Sequence, residues 1–244
     1  MTELLSLTLL FFLIALVYSS AGFGGGSSYL ATLSLFGLEF LNLRMIALIC
    51  NIVVVSSSVF LFSKYKFIIW KKIFPLMLFS VPLAFVGASL KLDVRFFYLV
   101  LGFSLLLSAL FMMIDTSKEL RKLPRYSNAL IGSGIGFLSG MAGIGGGIFL
   151  SPLLHLSKWD KPKIIAATSA AFILANSLSG LLGQVYAHGF NIEWKTISVL
   201  VLAVILGSQI GIRMTIFKLN PMHVKRLTAF VILLVSLRLL FKYI

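Results

Sequence analysis

The feature that most constrains this chain is a glycine break that occurs twice inside long apolar runs. Ala21-Gly22-Phe23-Gly24-Gly25-Gly26 returns 121 residues later as Ala142-Gly143-Ile144-Gly145-Gly146-Gly147, in a chain of 244 residues. Fainter echoes follow at an offset of 124: Trp70-Lys71 with Trp194-Lys195, and Gly87 with Gly211. A repeat at half the chain length means two related halves built on one plan. The expected division is 1–117 for the first membrane repeat and 118–244 for the second, in one integrated transmembrane domain, with the basic segment 115–126 as the joint.

The runs around these breaks need a solvent other than water. Hydrophobic residues make up 59% of the chain and charged residues only 11%, and mean hydropathy is +1.06. A soluble domain is about 45–50% apolar and about 25% charged. This excludes a soluble enzyme, a nucleic-acid module and a disordered tail. The formal charge of +14, from 21 Lys+Arg against 7 Asp+Glu, would suggest nucleic acid in a soluble protein. Here the basic residues sit between apolar runs, where they set topology and meet anionic headgroups at the cytoplasmic face. The single cysteine, Cys50, lies inside an apolar run and reads as a small core residue, which leaves no disulfide framework and no cysteine metal site. The N-terminus has no positive n-region before its apolar run and reads as part of the mature fold.

Eight apolar runs are visible: 4–38, 45–62, 73–90 and 96–114, then 127–156, 164–187, 196–217 and 227–241. Six have the length of a spanning helix, which needs about 20 residues for a core about 30 Å thick. The two broken runs are too long for one crossing and too short for two. Each is therefore either one crossing or a re-entrant hairpin of two half-helices meeting at the glycines.

Lys and Arg separate these models. With eight crossings the two faces carry ten and eleven basic residues, no bias at all. With hairpins, one face carries 15, spread over 64–72, 118–125, 158–163 and 213–226. The other carries 6: Arg44, Lys91, Arg95, Lys195, Arg238 and Lys242. A protein inserted in both orientations would also lack bias, but the positive-inside rule favours the hairpins and puts the 15-charge face in the cytoplasm. Both termini are then extracytoplasmic. Each half holds three full spans, an odd number, so the halves are inverted relative to one another. The expected fold is thus an all-α integral membrane protein of two inverted repeats, each a glycine-broken re-entrant helical hairpin plus three transmembrane helices.

Glycine-rich backbone at membrane depth must be buried in protein or line a wet cavity. A helix that resumes after such a break presents unpaired N–H groups and a positive dipole end, which bind anions. The predicted anion site lies between Gly22, Phe23, Gly24, Gly25, Gly26 and Ser27 of the first break and Gly143, Ile144, Gly145, Gly146 and Gly147 of the second. Mid-span polar residues on the following helices, Asn51 and Ser57 in one half and Thr168, Ser169 and Asn176 in the other, are candidates to complete the shell. Interhelical hydrogen bonding is the competing role for them. Gly132, Gly136, Gly207 and Gly211 have small-x3-small spacing and read as packing. No nucleotide-binding glycine pattern is completed.

All seven acids fall at run ends or in connections. Cation carriers and proton relays keep a carboxylate mid-membrane, so their absence there fits an anionic substrate. His155, His188 and His223 lack metal-ligand spacing, and neither metal nor cofactor is expected. Arg44, at the start of the second run, reads as a headgroup contact or an outer recruiting charge. Pro75 and Pro82 suggest a kinked span.

At its two breaks the chain resembles the sulfite exporter TauE/SafE family. The resemblance rests on residues 21–26 and on Gly140-Met141-Ala142-Gly143-Ile144-Gly145-Gly146-Gly147, with Ala166-Ala167-Thr168-Ser169 and Asn191-Ile192-Glu193-Trp194 in support. It implies a compact inner-membrane carrier with two related halves that exports or takes up sulfite, other sulfur oxyanions or organosulfonates. The first half departs from the second, with Ile49-Cys50 read opposite Thr168-Ser169. The expected function is an alternating-access carrier for such a small inorganic or organosulfonate anion. A passive anion channel would share the site, and a non-transporting structural or assembly subunit would use the glycines for packing alone. An intramembrane enzyme has no acid–base pair or nucleophile in the spans to support it.

Overall fold

A computed structural model describes residues 2–20, 22–36, 40–113, 127–157, 159–190, 192 and 194–217, and, within the last run, 229–230, 233–234, 236–241 and 243. The proposed boundary at 117/118, the basic segment around it, Glu39, Lys158, Glu193, His223 and the charges at 218–226 lie outside the described residues. Nine helices have defined bounds: α1 Thr2–Ser20, α2 Gly26–Leu35, α3 Phe40–Lys64, α4 Trp70–Ser89, α5 Val94–Met113, α6 Ser127–Ala142, α7 Gly147–Leu156, α8 Pro162–His188 and α9 Trp194–Phe217. The described residues of 229–243 are helical too, and no strand occurs among the described residues.

The helices coincide with the apolar runs because in lipid a backbone can satisfy its own hydrogen bonds only by coiling locally. Five described helices, α1, α3, α4, α8 and α9, are long and apolar enough to cross a membrane. Pro162 opens α8 at a position that needs no N–H, and Pro75 and Pro82 sit inside α4 without ending it. The arms around each break are unequal. α1 has 19 residues against 10 for α2, and α6 has 16 against 10 for α7. At about 1.5 Å per residue, α1 is about 28 Å long, a crossing length rather than half of one.

The halves interlock. α1 packs along α9, α6 packs along α4, and α3 and α8 meet between them. The first two contacts are made by the small residues predicted to pack. A side chain on Gly132 or Gly136 would run into the Leu76 or Ser80 carbonyl of α4, and one on Gly207 or Gly211 into the Phe12 or Leu16 carbonyl of α1. The main core joins Phe11, Tyr18 and Tyr29 to Leu43, Val54 and Phe97, with Ile144, Ile148 and Ile173 from the other half.

Candidate functional site

Each break is folded by the same backbone bonds. In the first, the Gly22 N–H donates to the Ser19 carbonyl at 3.0 Å and the Phe23 N–H to Tyr18 at 2.9 Å. In the second, Gly143 donates to Gly140 at 3.3 Å and Ile144 to Ser139 at 3.2 Å. All four partners are shifted by the 121-residue offset of the sequence repeat. Gly25 (φ 88°) and Gly146 (φ 81°) are the left-handed residues from which α2 and α7 start. That conformation costs an L-residue about 1–2 kcal/mol, so glycine is required at both. Gly25 lies against Ile14 and Gly146 against Ile135, again 121 apart.

The two breaks meet. A cavity of about 10 Å³ is lined by Tyr18, Phe23, Gly24, Gly25, Gly26, Ser27 and Asn51 on one side and Ile144, Ile148 and Ile173 on the other. That is room for about one water. Its first wall is polar. The Asn51 Oδ1 accepts the Gly26 N–H at 3.1 Å, and the Tyr18 hydroxyl is bonded to Ser28 Oγ at 2.6 Å. Ser27, 2% exposed, lies near the Tyr18 hydroxyl, yet its Oγ makes no well-formed hydrogen bond among the described residues. The N–H groups of Ser27 and Ser28 stand in the first turn, where a helix supplies no carbonyl partner. The opposite wall is isoleucine.

This asymmetry has a local origin. Gly26 approaches Asn51 where its counterpart Gly147 approaches Ile173, and Asn51 and Ile173 are 122 residues apart. Gly22 and Gly143 likewise approach Ala166 and Arg44, also 122 apart. Thus Ile173, rather than Asn176, occupies the place of Asn51 in the second half, and Ile46-Ala47, rather than Ile49-Cys50, stands opposite Thr168-Ser169. The Asn51 Nδ2 donates to Ser177 Oγ of α8 at 2.8 Å, and Gly145 passes beside both of these atoms.

The other predicted residues are distributed around this centre. Thr168 and Ser169 are fully buried on α8, and neither hydroxyl has a hydrogen-bond partner among the described residues. Asn176 accepts a hydrogen bond from Ser80 of α4 and donates to the Phe172 carbonyl at 2.9 Å, so it ties α8 to α4. Ser57 bonds back to the Val53 carbonyl of its own helix at 3.4 Å.

Arg44 is neither a headgroup contact nor an outer recruiting charge: it is 0% exposed. Its Nη2 donates to the Gly140 and Met141 carbonyls at 3.3 Å each, and its guanidinium lies over Phe97 at 5.3 Å. It caps the negative end of α6 immediately before the second break, a favourable place for a cation. Tyr18 is not apparent from the sequence: it precedes the glycines inside an apolar helix, and only the fold-back brings its hydroxyl to Ser28. Of the mid-span polar pair Asn176-Ser177, it is Ser177 that meets Asn51.

A model of the sulfite exporter TauE/SafE family matches residues 7–239. The chain belongs to the sulfite exporter TauE/SafE family. Curated relatives agree on the class of protein. A probable membrane transporter protein of Sinorhizobium fredii is 34% identical over 189 residues, covering 75% of this chain and 76% of that one. A probable membrane transporter protein of Methanocaldococcus jannaschii is 28% identical over 183 residues, covering 69% and 67%. No solved structure matches the chain. The family match and the five apolar helices make this TauE/SafE member a multi-pass membrane protein of a transporter family.

Proposed function

We propose that this chain is a carrier that moves a small anion, sulfite or another sulfur oxyanion or organosulfonate, across the cell's inner membrane by alternating access around its two glycine breaks. The observation that carries the reading is the cavity where both breaks meet, with a helix N-terminus and the buried Ser27 hydroxyl on its polar wall. An anion there receives the α2 N–H groups and dipole. No described carboxylate lines the cavity to repel it. The site comprises Gly22 to Ser27, Asn51 and Gly143 to Gly147. Thr168 and Ser169 serve the path on the side of α8's first turns, while Asn176 ties α8 to α4 and Ser57 bonds within α3.

In this reading the halves, 1–117 and 118–244, are inverted repeats and each break is the tip of a re-entrant hairpin with one long arm and one short arm rather than two half-helices. The chain's return is supported by the Phe11 ring of α1 stacking on Tyr29 of α2 at 4.5 Å. Two residues on a continuing helix 18 positions apart would be separated by about 27 Å. The 15-charge face is cytoplasmic and both termini are outside. The family's name supports a sulfur anion as substrate, and the cavity between the breaks supports a site there.

The test is counterflow in proteoliposomes: unlabelled sulfite inside, trace labelled sulfite outside, with sulfate, thiosulfate and methanesulfonate as competitors. Transient accumulation of label is expected. Equilibration without overshoot indicates a channel. No flux of any of these anions from folded protein overturns the proposal in favour of a structural subunit.

A further inference from the structure

The cavity holds about 10 Å³, less than an anion with three oxygens occupies, so its walls must part for such a ligand. What holds them is visible. Asn51 spans the cavity's edge: its carbonyl oxygen takes the Gly26 N–H at 3.1 Å, and its amide nitrogen holds Ser177 Oγ at 2.8 Å. The first bond uses a donor at the α2 N-terminus that an anion would use. The second links α3 of one half to α8 of the other. Asn51, Ser177 and Gly26 are all buried, so water does not compete for these bonds.

We propose that Asn51 is a tethered stand-in for the anion: in the closed carrier its carboxamide oxygen caps α2, and an entering anion displaces it and in doing so releases Ser177 and the α3–α8 seam. The inference rests on the anion-carrier reading above but adds a positioning residue with a defined motion. It also explains the asymmetry of the site. The stand-in occurs once, because the matched position on α8 is Ile173, which has nothing to offer a helix N-terminus. The clasp couples binding to opening, because the anion favours the state in which Asn51 has let go.

The chain carries a built-in reporter. Cys50 is its only cysteine, is buried and precedes Asn51 on α3. Cys50 is buried in the core that also holds Tyr29 of α2 and Ile173 of α8, so its labelling by N-ethylmaleimide reads the parting of α3 from that core without reference to any anion. Removing one net hydrogen bond shifts a two-state opening by about two- to tenfold. Asn51→Ala and Ser177→Ala are therefore expected to raise the Cys50 labelling rate by that factor. The same two variants should tighten binding of sulfite or methanesulfonate by a similar factor while slowing counterflow. Asn51→Asp keeps an oxygen on the Gly26 N–H and, having lost the amide donor, accepts from the Ser177 hydroxyl instead of donating to it; it should abolish anion binding and leave Cys50 protected.

Weaker anion binding in Asn51→Ala with unchanged labelling overturns the proposal and makes Asn51 a ligand. Unchanged labelling in Ser177→Ala overturns it also, and this smaller substitution carries the test if Asn51→Ala does not fold. If wild-type protein binds none of the probe anions, the carrier reading fails. The clasp is then judged by labelling alone: faster labelling in both variants upholds it, and no change sinks it.

Discussion

Replacing Gly146 by alanine tests whether the second break is a packed functional centre or only a flexible joint. Gly146 has φ 81°, and a methyl group there would meet Ile135 Cγ2 at 3.0 Å, Phe172 Cε1 at 3.1 Å and Ser139 Cβ at 3.1 Å. The left-handed conformation costs alanine about 1–2 kcal/mol. Pushing three packed side chains aside costs about 1–3 kcal/mol more. The expected loss for Gly146→Ala is thus about 2–5 kcal/mol. Gly189 provides the control. Its φ is 76° with ψ −178°, an extended positive-φ conformation held almost only by glycine, but nothing lies within 4 Å of an added methyl, so Gly189→Ala should lose only a backbone part, about 1–3 kcal/mol. The entropy that alanine removes from the unfolded chain is common to both and cancels in the difference. The assay is reversible denaturation of purified protein in detergent, followed by fluorescence of the three tryptophans, with sulfite counterflow measured on the same preparations. Gly189→Ala should keep its transport rate, whereas Gly146→Ala should lose most of it at temperatures where it remains folded. A loss by Gly146→Ala no larger than the backbone part alone, about 1–2 kcal/mol, would refute the packing argument, and full transport by Gly146→Ala would remove the second break from the site.

Three further outcomes follow from neighbouring features. On α6, Gly134→Ala meets nothing within 4 Å and should leave stability unchanged or raise it by up to about 1 kcal/mol through helix propensity; Gly136→Ala strikes the Ser80 backbone and should cost about 1–3 kcal/mol, both read as shifts in Tm. Ser169→Ala removes a buried hydroxyl without a partner among the described residues, so Tm should hold or rise, while the counterflow rate should fall if the hydroxyl serves the anion path. Lys72→Met removes the exposed 2.7 Å ion pair with Asp160 and should cost at most about 1 kcal/mol, less in high salt. Burial pushes the Asp160 carboxyl up, but the Lys72 hydrogen bond, the Lys161 backbone N–H and both lysine charges outweigh it and hold its pKa below the ordinary aspartate value. The folded value lies under the unfolded one, so the pair's contribution is complete above the ordinary aspartate range and is lost as pH falls through the folded value. Denaturation of wild type and Lys72→Met should therefore converge at acid pH and separate near neutrality.

The sequence by itself determined where the helices lie and where two of them break. α4, α5, α8 and α9 each follow an apolar run to within about three residues, because a backbone in lipid has no alternative to the helix and a run of glycines removes the side chains that would stabilise one. It also showed that the breaks are related, since the repeat of residues 21–26 at 142–147 needs no partner to be seen. What only the tertiary structure decided is which side chains face the breaks. Helix periodicity left Asn51 and Asn176 equivalent, and their neighbours separated them: Asn51 is brought to Gly26 and Ser177, while Asn176 faces Ser80 of α4. Arg44 reads on the sequence as a surface charge at the head of a run, yet the carbonyl end of α6, from the other half, encloses it. Apart from that of Asn51 with Gly26, these contacts join residues about 100 or more positions apart, and a helix's own pattern states its lipid-facing and buried sides without stating which partner fills the buried one. That choice came from the crossing of α3 and α8 and from the glycines that let α1 meet α9 and α6 meet α4 at backbone distance.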